Sequence, residues 1–421
     1  MLKTRSTCRA CGSASLTDVM SLGDQYLASN FELSPDYPPV ARKIPLDLVR
    51  CDPQRDENAC GLLQLKHTVP PGLMYASYGY RSGVNQTMRD HLAGIAKEVE
   101  KQIKRSCRIV VDIGANDGTL LTAYSDDGCR VRRVGFEPSD IRPLQDGHGI
   151  EYVADYFNMN SYDSADLHHQ VDAVTSIAMF YDLEDPTEFA RDVSNVLVSE
   201  GLWVLELSYM PLMLQLRSFD TICHEHVGYY SLSVIERILD HVEMVAIDAT
   251  LNDINGGSIR VTAAKRGSQR AMKISPEARA RLYNLRRSEF QLGLDGPEPY
   301  EKFVMNVKAT RLNLIAMLRT MWEQDKKIYG YGASTKGNVI LQYTGVGQYL
   351  EAIADRNPAK VGRRTVGSDV RICSEEEMRA ARPDYLLVLP WHFMPEFRER
   401  ERALVEQGTK FIVPLPEPKI L

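Results

Sequence analysis

The stretch Thr221 to Ser231 reads TICHEHVGYYS and sets a thiol, an imidazole, a carboxylate, a second imidazole and two phenols within eight positions, in a chain that has nine histidines in all. Three readings suit that set. His224 and His226, two apart, face one way on an extended segment and would suit a metal ion, but no third ligand is identifiable. Glu225 beside His226 suits proton transfer. A buried network of histidine and glutamate is the structural alternative. A second group lies near the amino end, where Cys8 and Cys11 form C-x-x-C followed by Gly12. That spacing lets a turn aim two thiolates at one zinc ion. Cys51 and Cys60 are the available second pair, although eight intervening residues separate them. Free surface thiols are the alternative there.

These groups need a scaffold, and 421 residues with 44% hydrophobic content exceed what one core organises, so two or three domains are expected. Lys and Arg number 50 against 56 Asp and Glu, a formal charge of −6, which excludes an electrostatic footprint for nucleic acid or anionic membrane. Short basic runs such as RVRR at Arg130 to Arg133 read as solvated faces. No run approaches the ~18 apolar residues of a membrane helix, and MLKTRSTCRACGS has no apolar signal core. A cytoplasmic monomer or homodimer is expected, with no nucleic-acid or membrane partner and with reduced cysteines available for metal or catalysis.

Along the chain, Pro70 and Pro71 end a small zinc-binding module at 1–69. The segment MYASYGYRSGVNQTMRDH follows, with Tyr78 and Tyr80 on one face if it is extended, and a helix is predicted from Gln86 to about Arg105. From Cys107 the pattern alternates strand and helix: RIVVDIG, RRVGFEPS, EYVADYF, VDAVTSIAMF, a helix through Glu188 to Val198, then GLWVLELS. EMVAIDAT and GGSIRVTAAK, joined by LNDIN, read as a hairpin. Pro276 to Lys327 is mainly helical with a break at GLDGPEP, and a second α/β block follows. The fold class is α/β: the zinc module, a central Rossmann-like domain at 70–275, and a helical connector plus a second Rossmann-like domain at 276–421.

Open parallel sheets bind ligands beyond the carboxyl ends of their strands. The first central strand ends in Asp112, Ile113, Gly114, Ala115, Asn116, Asp117, Gly118, without the third glycine of a dinucleotide turn. Glu137, followed by Pro138 after the second strand, can accept both ribose hydroxyls of an adenosine. Asp155, followed by Tyr156 after the third, can approach the adenine edge. The ordered set of Asp112, Gly114, Asn116, Asp117, Glu137, Pro138, Asp155 and Tyr156 resembles the S-adenosylmethionine site of class I methyltransferases; the alternative is a generic sheet with acidic strand ends. In the carboxy-terminal GYGASTKGN, Ser334, Lys336 and Asn338 stand where a helix start receives a pyrophosphate, or where a strand simply turns into a helix.

Together these pieces resemble the three-domain, zinc-containing C-methyltransferases that act on nucleotide-linked deoxysugars, of the kind made for antibiotic or polysaccharide assembly. The resemblance covers nearly the entire chain: the four-cysteine module, VVDIGANDGTLL with FEPS and ADYF, the HEH loop followed by YYS, NGGSIR at Asn255 to Arg260, and GYGASTKGN with IADRNPAKVG. It implies S-adenosylmethionine and a structural zinc ion as cofactors, and a dTDP-linked 4-keto-6-deoxysugar methylated on a carbon beside the ketone. By motif position His226 resembles the family's base, Glu225 the acid that orients or assists it, and Tyr80 the active-site tyrosine. Tyr78 and His224 fall at the substrate with no chemical step of their own. Two positions depart from the pattern. Cys223 stands where the best-understood members have tyrosine before HEH, and a thiol is a weak donor for an enolate oxygen. Tyr181 stands where those members have histidine, and restores a phenol from another wall. An epimerase or isomerase of keto-sugar nucleotides, using the same enolate without methyl transfer, is the alternative enzyme; a zinc-containing scaffold is the non-catalytic one.

Overall fold

The computed structural model describes residues 2–29, 31–32, 43–74, 81–103, 107–125, 130–141, 149–165, 167 and 171–421. Near the amino end three strands, β1 (Leu16–Gln25), β2 (Ile44–Cys51) and β3 (Leu63–Leu65), pair antiparallel, with Leu16 opposite Cys51 and Leu48 opposite Leu65. Tyr78 and Tyr80 lie outside the described residues.

Helix α1 (Gln86–Gln102) starts where the Asn85 side chain accepts the Thr87 amide. It buries Met88, Leu92, Ile95, Ala96 and Val99, the spacing of one helical face. It ends three residues before Arg105 because Ile103 turns extended and buries its side chain. The run RIVVDI becomes β4 (Cys107–Ile113), followed by β5 (Arg130–Phe136), β6 (Ile150–Val153) and β7 (Val171–Ile177). Helix α2 (Pro186–Val196) opens on the Asp185 cap with proline in its first turn. It stops at Val196, two residues earlier than its pattern suggests, because Leu197 already pairs with Val171 in β8 (Leu197–Ser208).

The next strand, β9 (Gly228–Tyr229), directly follows the HEH loop, and after it come helix α3 (Leu232–Asp240) and the hairpin β10 (Met244–Asn252) and β11 (Ser258–Lys265). The central sheet has the order β10-β11-β8-β7-β4-β5-β6. Its strands β8-β7-β4-β5-β6 run parallel and β11 and β10 close one edge antiparallel. This is a doubly wound sheet that changes direction between β4 and β7, so its ligand crevice opens beyond Ile113 and Ile177. β9 does not join it. It completes the amino-terminal sheet in the order β9-β3-β2-β1.

Helices α4 (Pro276–Leu292) and α5 (Glu298–Glu323) lead to β12 (Ile328–Tyr331), helix α6 (Thr335–Thr344), and strands β13 (Ile353–Ala354), β14 (Ile372–Cys373), β15 (Tyr385–Val388), β16 (Lys410–Val413) and β17 (Lys419–Ile420). That sheet runs β14-β13-β12-β15-β16-β17. One buried cluster joins Met20, Leu46 and Leu63 of the amino-terminal strands to Ile222 and Tyr229 beside HEH and to Phe303, Val339 and Ile412 of the carboxy-terminal part. No helix among the described residues is long and apolar enough to cross a membrane.

Glu289 on α4 shows how the connector is fastened. It is buried, and Oε1 accepts the Tyr209 hydroxyl at 2.6 Å and the Leu232 amide at 2.5 Å, while Oε2 accepts the Ser233 amide at 3.0 Å. A carboxylate at the first turn of α3 satisfies amides that have no partner within the helix and meets the positive end of its dipole. Glu289→Ala leaves two buried donors, the Tyr209 hydroxyl and the Leu232 amide, without an acceptor and is expected to lower unfolding stability by about 3 kcal/mol, measured as a shifted urea midpoint.

Candidate active site

The four sulfur atoms of Cys8, Cys11, Cys51 and Cys60 lie within 4.8 Å of one another, with Cys8 to Cys60 and Cys11 to Cys51 each at 3.5 Å. Tetrahedral zinc with Zn–S bonds of about 2.3 Å needs sulfurs roughly 3.8 Å apart, so the cluster fits the ion. The wide gap between Cys51 and Cys60 is spanned by a turn built on Asp52. Its carbonyl accepts the Arg55 and Asp56 amides, and its carboxylate accepts Gln54 N, Thr17 Oγ1 and Arg50 Nη2. Cys60 returns so closely that its amide donates to Cys51 Sγ at 3.4 Å. Among the described residues no other group of three or more His, Cys, Asp or Glu side chains brings ligand atoms together in this way, and His224 and His226 form no such group.

At the crevice of the central sheet, Gly114 has φ +73°, and a Cβ there would lie 3.3 Å from Met179 Cβ and Cγ. Glu137 is buried; Oε2 accepts the Asn116 amide at 2.8 Å and Oε1 accepts the Ser139 amide at 2.9 Å. Each oxygen therefore keeps acceptor capacity for a ribose hydroxyl. Asp112 accepts the Thr175 hydroxyl at 2.6 Å. Burial, with the Glu137 charge adding to it and Thr175 opposing, pushes its carboxyl up to about 7. Asn116 and Asp117 look back along the chain: Asn116 Oδ1 accepts Ser82 N at 3.0 Å and Asp117 Oδ2 accepts Gly83 N at 2.9 Å. Pro138 is half-buried, while Asp155 and Tyr156 are exposed at the end of β6. The donor set and the bend at Gly114 fit an adenosyl group.

The HEH loop is organised by Thr221. His226 Nδ1 lies 3.0 Å from the Thr221 carbonyl and 3.2 Å from its hydroxyl. A carbonyl only accepts, so Nδ1 carries the proton and Nε2 holds the basic lone pair. The Tyr181 ring packs against the imidazole with centroids 4.1 Å apart. Burial lowers His226 to about 4, assisted by the charge of Lys336 and opposed by Glu225 and the Thr221 carbonyl. The ring is therefore neutral at physiological pH.

Glu225 is buried, and neither carboxylate oxygen has a hydrogen-bond partner among the described residues. Burial and then the Glu225 charge push the Cys223 thiol well above its ordinary value, so it stays protonated. His224 turns away: its ring donates from Nε2 to the Ile44 carbonyl at 3.1 Å, in the amino-terminal sheet.

The carboxy-terminal candidates separate. Lys336 Nζ reaches Asn255 O at 2.6 Å, within the NGG turn, and its charge acts on His226, Asp220 and His392. Ser334 lines a cavity of about 180 Å³ with Gly332, Ala333, Asp355 and Asn85. Asn338 is buried against the amino-terminal part, with Nδ2 donating to Ala28 O at 2.7 Å. Sequence reasoning did not single out Asp220 and Trp391. Asp220 is fully buried and accepts Trp391 Nε1 at 2.9 Å, which ties the turn before HEH to the turn that follows β15. Neither residue sits in a recognisable motif, so the only signal was an acid one position before Thr221.

Three family models match in succession: "Putative zinc binding domain" over residues 8–75, "Methyltransferase domain" over 80–245 and "C-methyltransferase C-terminal domain" over 253–416. C-methyltransferase NovU of Streptomyces niveus is 29% identical over 418 residues, covering 98% of this chain and 96% of that protein. Among solved structures, magnesium protoporphyrin IX methyltransferase from Synechocystis PCC 6803 with bound SAH is 13% identical, spanning 43% of this chain and 88% of that one at a TM-score of 0.33. The CurJ carbon methyltransferase is 9% identical, spanning 43% and 56% at a TM-score of 0.32. S-adenosylmethionine is the methyl donor and zinc the structural metal. With zinc-binding, methyltransferase and C-methyltransferase segments following one another along its length, the chain belongs to the zinc-containing, three-domain C-methyltransferases.

Proposed function

We propose that the protein methylates a carbon beside the ketone of a nucleotide-linked 4-keto-6-deoxysugar, with dTDP the favoured carrier, and that units 1–69, 70–275 and 276–421 hold zinc, methyl donor and nucleotide sugar respectively. The observation that carries this reading is His226: its Nδ1 proton is committed to Thr221, leaving Nε2 as a neutral base. Nε2 takes the proton from the carbon beside the carbonyl, and the C–H electron pair passes into an enolate. S-adenosylmethionine, when bound, supplies an electrophilic methyl to that carbon.

Glu225, buried and without a hydrogen-bond partner among the described residues, favours the imidazolium that forms. Tyr181 donates at the enolate oxygen, a role for which the protonated thiol of Cys223 is weak, and Tyr80 is assigned to the active site by motif position alone. Tyr78, His224 and Asn338 are assigned to the substrate by sequence position. His224 and Asn338 also donate to the Ile44 and Ala28 carbonyls of the amino-terminal part. Ser334, which lines a cavity with Asn85 and Asp355, and Lys336 remain the candidates for the nucleotide sugar. Asp112, Gly114, Asn116, Asp117, Glu137, Pro138, Asp155 and Tyr156 are assigned to the adenosyl group.

The test is mass spectrometry of products from dTDP-, GDP- and CDP-linked 4-ketosugars incubated with S-adenosylmethionine. A methyl increment on one of them supports the reading; solvent deuterium incorporation with inversion and no methylation points to the isomerase instead. Tyr181→Phe removes a single donor from the enolate and is expected to lower kcat by about 10²-fold, measured in single-turnover assays with the accepted sugar. Full retained turnover would remove Tyr181 from the mechanism.

A further inference from the structure

The zinc module touches both walls of the proposed site through one side chain, Arg9, which lies between the ligands Cys8 and Cys11. Its guanidinium is fully buried. Nη1 donates to Gln64 Oε1 at 3.1 Å and to Leu65 O at 2.5 Å, Nη2 donates to Thr68 Oγ1 at 2.5 Å, and the Arg9 amide also donates to Gln64 Oε1 at 3.1 Å. Gln64 and Leu65 belong to β3, and their other side holds the catalytic loop. Gly228 pairs with Gln64, Tyr229 pairs with Leu63, and the Leu65 amide donates to Val227 O at 2.9 Å. The chain leaving His226 is thus clamped to β3 from the next residue onward.

Arg9 meets the opposite wall through Glu184, three residues after Tyr181. Arg9 Nε lies 3.4 Å from Glu184 Oε2, which also accepts Thr68 Oγ1 at 2.9 Å. Glu184 Oε1 pairs with Lys3 at 3.0 Å and with Arg5. All these partners come from the first 68 residues. Thr187, one turn further, donates to Ala10 O at 2.7 Å, inside the C-x-x-C turn. A planar guanidinium with several donors in fixed directions suits such a junction, and a lysine does not reproduce it.

From this arrangement we infer that Arg9, with Glu184, is a positioning residue through which the zinc-bound turn sets the placement of Tyr181 against His226. The inference rests on the proton-transfer reading of those two residues. Zinc then fixes the backbone on either side of Arg9, and the guanidinium transmits that fixed point to both walls.

The test compares Arg9→Lys and Glu184→Gln with wild type in the full-length, zinc-loaded protein. Glu184→Gln lies outside the metal module and keeps the test usable if Arg9→Lys folds poorly. Expected are unchanged zinc content and S-adenosylmethionine affinity, a kcat about tenfold lower with KM little altered, and about tenfold faster amide exchange in peptides spanning 179–187 and 222–231 but not 107–113. Wild-type exchange in both segments of zinc-replete Glu184→Gln overturns the inference. Faster exchange there with wild-type kcat supports the strut and overturns the proton-transfer assignment instead.

Discussion

His226→Gln is expected to lower kcat by about 10³-fold while S-adenosylmethionine affinity stays within about twofold of wild type. In the proposed reaction a carbon acid must give up its proton before any methyl can move, and Nε2 of this ring is the base proposed for that step, so the expected loss is large. Glutamine preserves volume but offers no base. The acid limb of kcat/KM in the wild type should lie near the lowered value of about 4 rather than the ordinary 6.5, since burial and Lys336 both disfavour the imidazolium. The neutral, active form is present above that value and is lost as pH falls through it. Lys336→Met removes the second cause and should move the limb upward. Stability follows the same linkage: between about 4 and 6.5 the unfolded chain holds more protons at His226 than the folded one, so the fold loses stability as pH falls through that window. Single-turnover rates across pH, with calorimetric titration of the methyl donor, measure these effects.

Cys51→Ser is expected to release the zinc ion and unfold the amino-terminal module, with metal content falling to background by atomic absorption. Structural zinc contributes about 10 kcal/mol or more to small metal-dependent folds, and a module of this size has little core of its own to replace it. The damage should spread. Met20, Leu46 and Leu63 share a buried cluster with Ile222 and Tyr229 beside the HEH loop and with Val339 and Ile412 of the carboxy-terminal part. β9 would lose its partner strand as well. The thermal profile should therefore show an early transition at least 10 °C below the wild-type midpoint, an effect of several kcal/mol, with the central sheet melting separately. Methyl transfer should vanish in this variant. Acidification should mimic the substitution, because protons compete with zinc for the thiolates.

Local features carried much of this architecture. The unbroken apolar run in RIVVDI, the proline and acid around Pro186, and the hairpin between EMVAIDAT and GGSIRVTAAK each prescribe an element through short-range sterics and periodicity, and the structure contains each of them. Boundaries moved where tertiary contacts outweighed propensity. Leu197 leaves its helix to pair with Val171, and Ile103 ends α1 in order to be buried. The Cys51 to Cys60 spacing looked wide for one metal site until the Asp52 turn folded the interval back on itself.

The inventory was legible residue by residue: four cysteines, an acid after each of two central strands, and a base beside an acid in HEH. Those follow from composition and spacing, which the chain carries locally. What these groups face depends on contacts between elements far apart in the chain. HEH leads into an edge strand of the zinc module's sheet, His224 and Asn338 turn toward Ile44 and Ala28, and Arg9 meets Glu184 across 175 positions. A period of two or 3.6 residues records which side of an element is apolar, but not which distant element covers it. A two-residue strand such as β9 has too short a pattern to declare its partner. Its register is set by packing around Tyr229 and by the backbone bonds of Gln64 and Leu65, which exist only once the domains have met.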